Sequence, residues 1–124
     1  MKIRQALETI KNLKPSQYND EMLVNWLSVL DAHVWEDLLR RRGVPAPAVP
    51  YNRNALEREM LIPFPHDQIY LTWMGAQIDL MNAEYERYNN QMMLYNAQLQ
   101  EYANEVTRTM QVTDAVIVKG VRAL

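Results

Sequence analysis

Between Leu71 and Val106 the apolar positions recur at alternating steps of three and four residues: Leu71, Met74, Ile78, Met81, Tyr85, Tyr88, Met92, Tyr95, Leu99, Tyr102 and Val106. That is the spacing of a helix that buries one stripe against other helices. Pro65 suits a first helical position, where its missing N–H would be unpaired anyway, and Asp67 places a negative charge in the first turn. The pattern predicts a helix from residue 66 to 109. Unbroken, it would be about 65 Å long. A compact chain of this size spans only about 28 Å, taken as twice its radius of gyration. Part of such a rod is expected to find partners outside its own chain. Asn89-Asn90 offers a second reading, a rod split in two, because Asn is a good N-cap. The uninterrupted heptad favours continuity.

The remaining elements follow in order. Ile3, Ala6, Leu7, Ile10 and Leu13 share one face of a short amphipathic helix over residues 2–13, ended by Lys14-Pro15-Ser16. Asn19 or Asp20 caps a second helix, with Leu23, Trp26, Leu27, Leu30, Val34 and Leu38 on its buried face. Arg40-Arg41-Arg42 before Gly43 suits its C-terminal end, where cations complement the dipole and glycine takes the left-handed cap. A basic patch for nucleic acid or an acidic partner is the sharper alternative for these arginines. Five of the six prolines fall at 45, 47, 50, 63 and 65, so residues 43–65 form a proline-rich arm. Within it, Leu56–Ile62 suits an edge strand or an extended segment. The arm is either a partner-binding element or a crossover wrapping the bundle. Beyond Met110, Val112, Val116, Ile117, Val118 and Val121 bring strand preference to a C-terminal tail over 111–124. That tail either pairs with Leu56–Ile62 or a neighbouring molecule, or is disordered in the isolated protein. The fold class expected is mainly α: a helical bundle of two N-terminal helices packed on one very long, or once-broken, helix, within a single domain over 1–124.

The flanks of the seam are unlike those of a two-stranded zipper. One side carries Gly75, Asn82, Asn89, Asn96 and Ala103, the other Gln77, Glu84, Gln91, Gln98 and Glu105. No Glu/Lys pairing that would choose a zipper partner can form there. Residues 82–90 and 96–104 also repeat at two-heptad spacing, with apolar, small and amide positions matching. The tyrosines at 70, 85, 88, 95 and 102 bring hydroxyls that want partners when buried. The stripe fits either the core of a bundle or a broad, partly polar contact between subunits.

Composition narrows the function classes. A net charge of −2 argues against a general nucleic-acid or membrane-surface binder. The absence of cysteine excludes disulfides, thiolate catalysis and cysteine-ligated metals, and fits a reducing compartment. With no signal-peptide pattern and no long apolar run, a soluble protein made in the cytoplasm is expected. The three glycines form no phosphate-cradling motif. His33 and Glu36 lie one turn apart with Asp37 beside them, but a carboxylate-bridged metal bundle needs inward acids from several helices. Neither a serine–histidine–acid arrangement nor a nucleophile elbow is present. No catalytic residue, metal site or cofactor is expected, and the chain is expected not to be an enzyme.

The run Leu61-Ile62-Pro63-Phe64-Pro65-His66-Asp67-Gln68-Ile69-Tyr70, then Ala76-Gln77-Ile78-Asp79 and Glu84-Tyr85-Glu86-Arg87-Tyr88-Asn89-Asn90, resembles small head–tail connector (adaptor) proteins of tailed bacteriophages. The opening Leu13-Lys14-Pro15 with Tyr18-Asn19-Asp20, before a Trp-containing helix, fits the same pattern. The likeness covers roughly residues 5–109; the tail from 111 to 124 is not matched. It implies a virion protein at the head–tail junction, made in the host cytoplasm and assembled as a homo-oligomeric ring of about twelve copies. Such a ring docks beneath the portal protein, receives the stopper (head-completion) or tail protein, and passes DNA without sequence-specific binding and without a membrane. The acidic balance of 66–109 suits a conduit, because Lys/Arg neutralisation of phosphates is what creates non-specific DNA affinity. On this reading Tyr85, Tyr88, Met92, Tyr95, Leu99, Tyr102, Val116, Ile117 and Val118 are the interface residues, packing helices within and between subunits. The alternative is a self-associating helical scaffold or regulatory coiled-coil protein unrelated to virions.

Overall fold

The computed structural model describes residues 1–110, and in them the protein is a mainly helical bundle. Helix α1 spans Ile3–Leu13, α2 Asp20–Val34, α3 Ile69–Met81 and α4 Tyr85–Thr109. Among the described residues there is no β-strand, only an isolated antiparallel bridge between Lys2 and Glu59. Helix α1 buries Ile3, Ala6, Leu7 and Ile10, while Leu13, expected on the same face, is exposed. Asn19 caps α2 by accepting from the Met22 N–H at 2.9 Å.

The helical path of α2 continues as a π turn at Trp35–Leu39 and a 3₁₀ turn at Arg40–Arg42. Gly43 then ends it with φ 78°, donating to Arg40 O while Val44 donates to Leu39 O. This is the paired pattern of a Schellman cap, for which glycine carries no Cβ penalty. The Trp35 indole N–H reaches the Val44 carbonyl at 2.8 Å and holds the reversal closed.

The rod predicted over 66–109 is not one helix, nor does it divide at Asn89-Asn90, which lie inside α4. It breaks at Asn82–Glu84. Ala83 takes the left-handed conformation at φ 58°, and the Asn82, Ala83 and Glu84 N–H groups return to Ile78, Leu80 and Asp79 carbonyls. Helices α3 and α4 therefore pack on each other along their length, paired in antiparallel sense by ring contacts of Trp73 with Tyr95 and His66 with Tyr102. Away from the break each half turns its stripe inward, with Met74, Ile78, Tyr95, Tyr102 and Val106 buried, while Met81 and Tyr85 beside the break are exposed. At 25 residues α4 is about 37 Å long.

The proline-rich arm crosses the bundle as an extended wrap. Its 56–60 stretch runs beside the N-terminus, with Ile3 N–H to Arg58 O, Arg4 N–H to Leu56 O and Met60 N–H to Met1 O. Tyr51, Met60 and Ile62 carry it into the core. What fixes its position is Asp31, fully buried on α2. Its carboxylate accepts from Tyr51 Oη at 2.6 Å, Tyr70 Oη at 2.5 Å and the Leu61 N–H at 3.2 Å. Tyr70 Oη in turn accepts the Ile62 N–H at 2.8 Å. One turn earlier, Ser28 Oγ donates to Val24 O and accepts the Tyr51 N–H. Thus α2, the arm and α3 meet at one polar junction. Burial pushes the Asp31 carboxyl upward, against the three hydrogen bonds that favour its charged form. Burial, together with the Asp31 charge, also pushes both tyrosine hydroxyls far above their usual range.

Replacing Ala83 by Gly removes the left-handed penalty of a Cβ and is expected to stabilise the protein by about 0.5–1 kcal/mol, whereas Ala83→Val destabilises it; thermal melts report both. Asp31→Ala leaves two buried hydroxyls without an acceptor and is expected to cost about 3 kcal/mol or more in denaturant unfolding. The Asp31 pKa is raised above the unfolded value of 3.8, so its contribution is fullest below about pH 4 and is lost as pH climbs through the folded value. The stability gap between the native protein and Asp31→Asn should therefore narrow as pH rises from about 4.

Candidate assembly interface

Helix α4 has two faces, and the sequence-predicted interface residues divide between them. Tyr95 and Tyr102 are buried within the chain, Tyr95 with its ring centroid 5.2 Å from Trp73 and Tyr102 with its centroid 5.3 Å from His66. Burial pushes both hydroxyls up, helped by Asp37 for Tyr95 and by Asp31 for Tyr102. Tyr88, Met92 and Leu99 are half-buried; Met92 and Leu99 pack on the core. Tyr85 is 62% exposed at the hairpin tip. Val116, Ile117 and Val118 lie outside the described residues. Much of the tyrosine seam is thus occupied inside one chain, and the solvent-facing side of α4 is the opposite face.

That outward face carries Glu86, Asn89, Asn90, Met93, Asn96, Ala97, Gln100 and Asn104, all exposed. Met93 is 71% exposed and Leu94 50%. Near the tip, Leu80 and Met81 of α3 are exposed as well. Two acids here have basic partners, while Glu86 and Glu101 of α4 are exposed without an ion pair among the described residues. Glu84 Oε2 accepts from Arg87 Nη1 at 3.0 Å, and Glu105 pairs with Arg108. Of the acids expected to give the rod its negative character, Asp67 and Asp79 are buried. Asp79 Oδ1 holds Lys14 Nζ at 2.6 Å, which ties the end of α1 to α3. The result is an amide-rich surface with exposed methionine and leucine and few unpaired charges. Met93 and Leu94 sit out of the heptad phase, so the seam pattern does not mark them. That phase mismatch beside Met92 was itself the available signal.

Other sites contribute less. A cleft of about 560 Å³ lies between the start of α2 and the arm, against Trp26, Asn25, Tyr51 and Arg53. Its buried hydroxyl, that of Tyr51, is committed to Asp31. His33 and Glu36 both face solvent, and Glu36 is engaged by Arg40 at 2.6 Å. Among the described residues no three of His, Asp and Glu gather as a metal-ligand set. Arg42 donates to the Leu38 carbonyl at 3.1 Å, so the arginine run serves the end of its own helix in part. Among the described residues, no helix is long and apolar enough to cross a membrane. The chain matches no known protein family, no curated protein and no solved structure.

Gly75 lies where α3, α4 and Lys14 converge. A Cβ there would meet Gln91 Nε2 at 3.4 Å and Lys14 Cε at 3.9 Å, both ends of flexible side chains. Gly75→Ala is expected to be accommodated and to stabilise the helix by roughly 0.5–1 kcal/mol in chemical denaturation, leaving the outward face unchanged.

Proposed function

We propose that this chain is a structural subunit of a head–tail connector ring of a tailed bacteriophage, stacked between portal protein and stopper or tail. The observation that carries the reading is the outward face of α4, a helix about 37 Å long whose exposed side is amide-rich, weakly charged and studded with Met93 and Leu94. A face of this kind suits sideways contact between identical subunits in a heterologous, closing arrangement, where the two surfaces that meet differ. Charged zipper flanks would instead favour a discrete coiled coil. The resemblance of residues 5–109 to such connectors supplies the setting. The connector would then act by geometry alone: the hairpins stand side by side around a channel, and DNA passes a wall without a surplus of Lys and Arg to hold its phosphates.

Val44 and residues 61–65 of the arm, with the π-turned end of α2, lie at the end of the hairpin remote from Asn82–Glu84, where Leu39, Leu61 and His66 stand beside Tyr102 and Val106. A ring built through α4 leaves that end available for the partner above or below. The second reading, a self-associating helical scaffold, rests on the same α4 face and differs in needing no portal.

Native mass spectrometry with electron microscopy, on the protein alone and mixed with portal-bearing particles, separates the two. Rings of about twelve copies, free or seated on the portal, are expected. Discrete dimers to tetramers with no affinity for portal-bearing particles would overturn the connector reading. Met93→Asp is expected to abolish assembly in the same assay while leaving the melting temperature within about 2 °C, because the residue is exposed. Tyr95→Asp should instead unfold the monomer, because it charges a buried ring position.

A further inference from the structure

The break between α3 and α4 is made by residues that do not ask for one. Asn82-Ala83-Glu84 contains neither glycine nor proline, and alanine is the strongest helix former. Ala83 nevertheless sits at φ 58°, where its Cβ crowds the following carbonyl oxygen. The seam spacing runs through the break without a slip, as Ile78, Met81, Tyr85 and Tyr88. Met81 and Tyr85, the seam residues on either side of it, are 53% and 62% exposed. The tip is also lightly held. Tyr18 Oη donates to Asn82 Oδ1 at 2.8 Å. Glu84 accepts from Arg87, three residues on, a pair that a continuous helix keeps.

The contacts that hold α4 on α3 do not require both helices to come from one chain. Trp73 and Tyr95 lie eleven residues on either side of Glu84, and His66 and Tyr102 lie eighteen. The pairing is therefore symmetric about the break. Two copies in which α3 runs straight on into α4, laid antiparallel across a two-fold axis at Glu84, restore the same ring pairs between chains. Met81 of each rod then falls between Tyr85 and Tyr88 of the other, so the seam residues that the hairpin leaves exposed gain a partner. Both copies of Ala83 return to right-handed helix, and release of strain at a short hinge favours exchange. The entropy of joining two molecules opposes it, less so as concentration rises.

We propose that α4 is exchanged between two copies of this chain: the hairpin opens at Asn82–Glu84, and each α4 packs on the α3 of the other copy in a closed dimer built on two continuous helices. Because the whole α3–α4 seam must come apart first, exchange is slow between folded monomers and is captured on refolding. The seam is buried in both forms, and the outward face with Met93 and Leu94 stays uncovered in both. Exchange therefore does not depend on ring formation.

The chain contains no cysteine, so spin labels at Gln68→Cys and Gln100→Cys, both exposed positions, report on the full-length protein alone. Met93→Asp is added to remove contact through the outward face, and the labelled protein is mixed with a large excess of unlabelled Met93→Asp protein. The mixture is unfolded in guanidinium, refolded at millimolar concentration and separated by size. Exchange predicts a dimer whose two labels within one chain stand about 48 Å apart, against a distance within about 25 Å in the monomer. Ala83→Gly relieves the closed turn and weakens the continuous helix. It is expected to lower the dimerisation constant about a hundredfold, roughly tenfold for each of the two hinges. A dimer whose labels stay within about 25 Å would overturn the proposal. So would protein that refolds only to monomer, or an undiminished dimer from Ala83→Gly. The ring is read separately, by native mass spectrometry of protein with Met93 intact.

Discussion

The structure depends on one buried carboxylate. Asp31 lies fully inside the bundle, where an ionisable group is costly unless donors surround it. Three elements supply them: the arm gives Tyr51 Oη and the Leu61 N–H, and α3 gives Tyr70 Oη. The stretch from 43 to 65 has no regular structure beyond a short 3₁₀ turn at Arg53–Ala55, so this junction with Ser28 sets where it crosses. It also sets where α3 begins, because Tyr70 lies in the first turn of that helix and holds the Ile62 N–H as well. A junction of this kind contributes less to net stability than to specifying one arrangement, since every donor lost leaves a buried group unpaired.

From that start α3 runs to Ala83 and the chain reverses. The reversal decides which surfaces of the two helices stay exposed. A continuous rod would have presented its tyrosine stripe to neighbours; the hairpin buries Tyr95 and Tyr102 against Trp73 and His66 and turns Met93, Leu94 and the amides outward. Trp73 also donates its indole N–H to Trp26 O at 2.9 Å, which fastens the hairpin to α2. In the proposed function the same separation gives a packed inner seam and an outer face free for identical neighbours.

The helices themselves were legible in the sequence. The periodicities of α1 and α2, the Asn19 cap and the Gly43 terminus stand where the spacing put them, because caps and amphipathic faces are local properties. The break at Asn82–Glu84 was not legible. Ala83 is a strong helix former that adopts φ 58° only because tertiary packing of α3 on α4 outweighs its local preference, and the heptad phase runs through the break unaltered. The Asp31 junction left a fainter mark. Asp31 lies four residues after Leu27 and three before Val34, on a face that is otherwise apolar, and its partners are far away in sequence at 51, 61 and 70. The outward face has no periodic signal of its own, whereas the seam marks the side of α4 that packs inside.

The central claim is that residues 66–109 fold back as a hairpin and keep their stripe inside one chain. Spin labels at Gln68→Cys and Gln100→Cys, both exposed positions in a protein without other cysteines, measure this directly by pulsed electron paramagnetic resonance on the monomer. The hairpin predicts a single short distance, within about 25 Å, as the adjacent His66–Tyr102 contact requires. A distance near 48 Å, the rise of a continuous helix over that span of about 32 residues, would contradict the account.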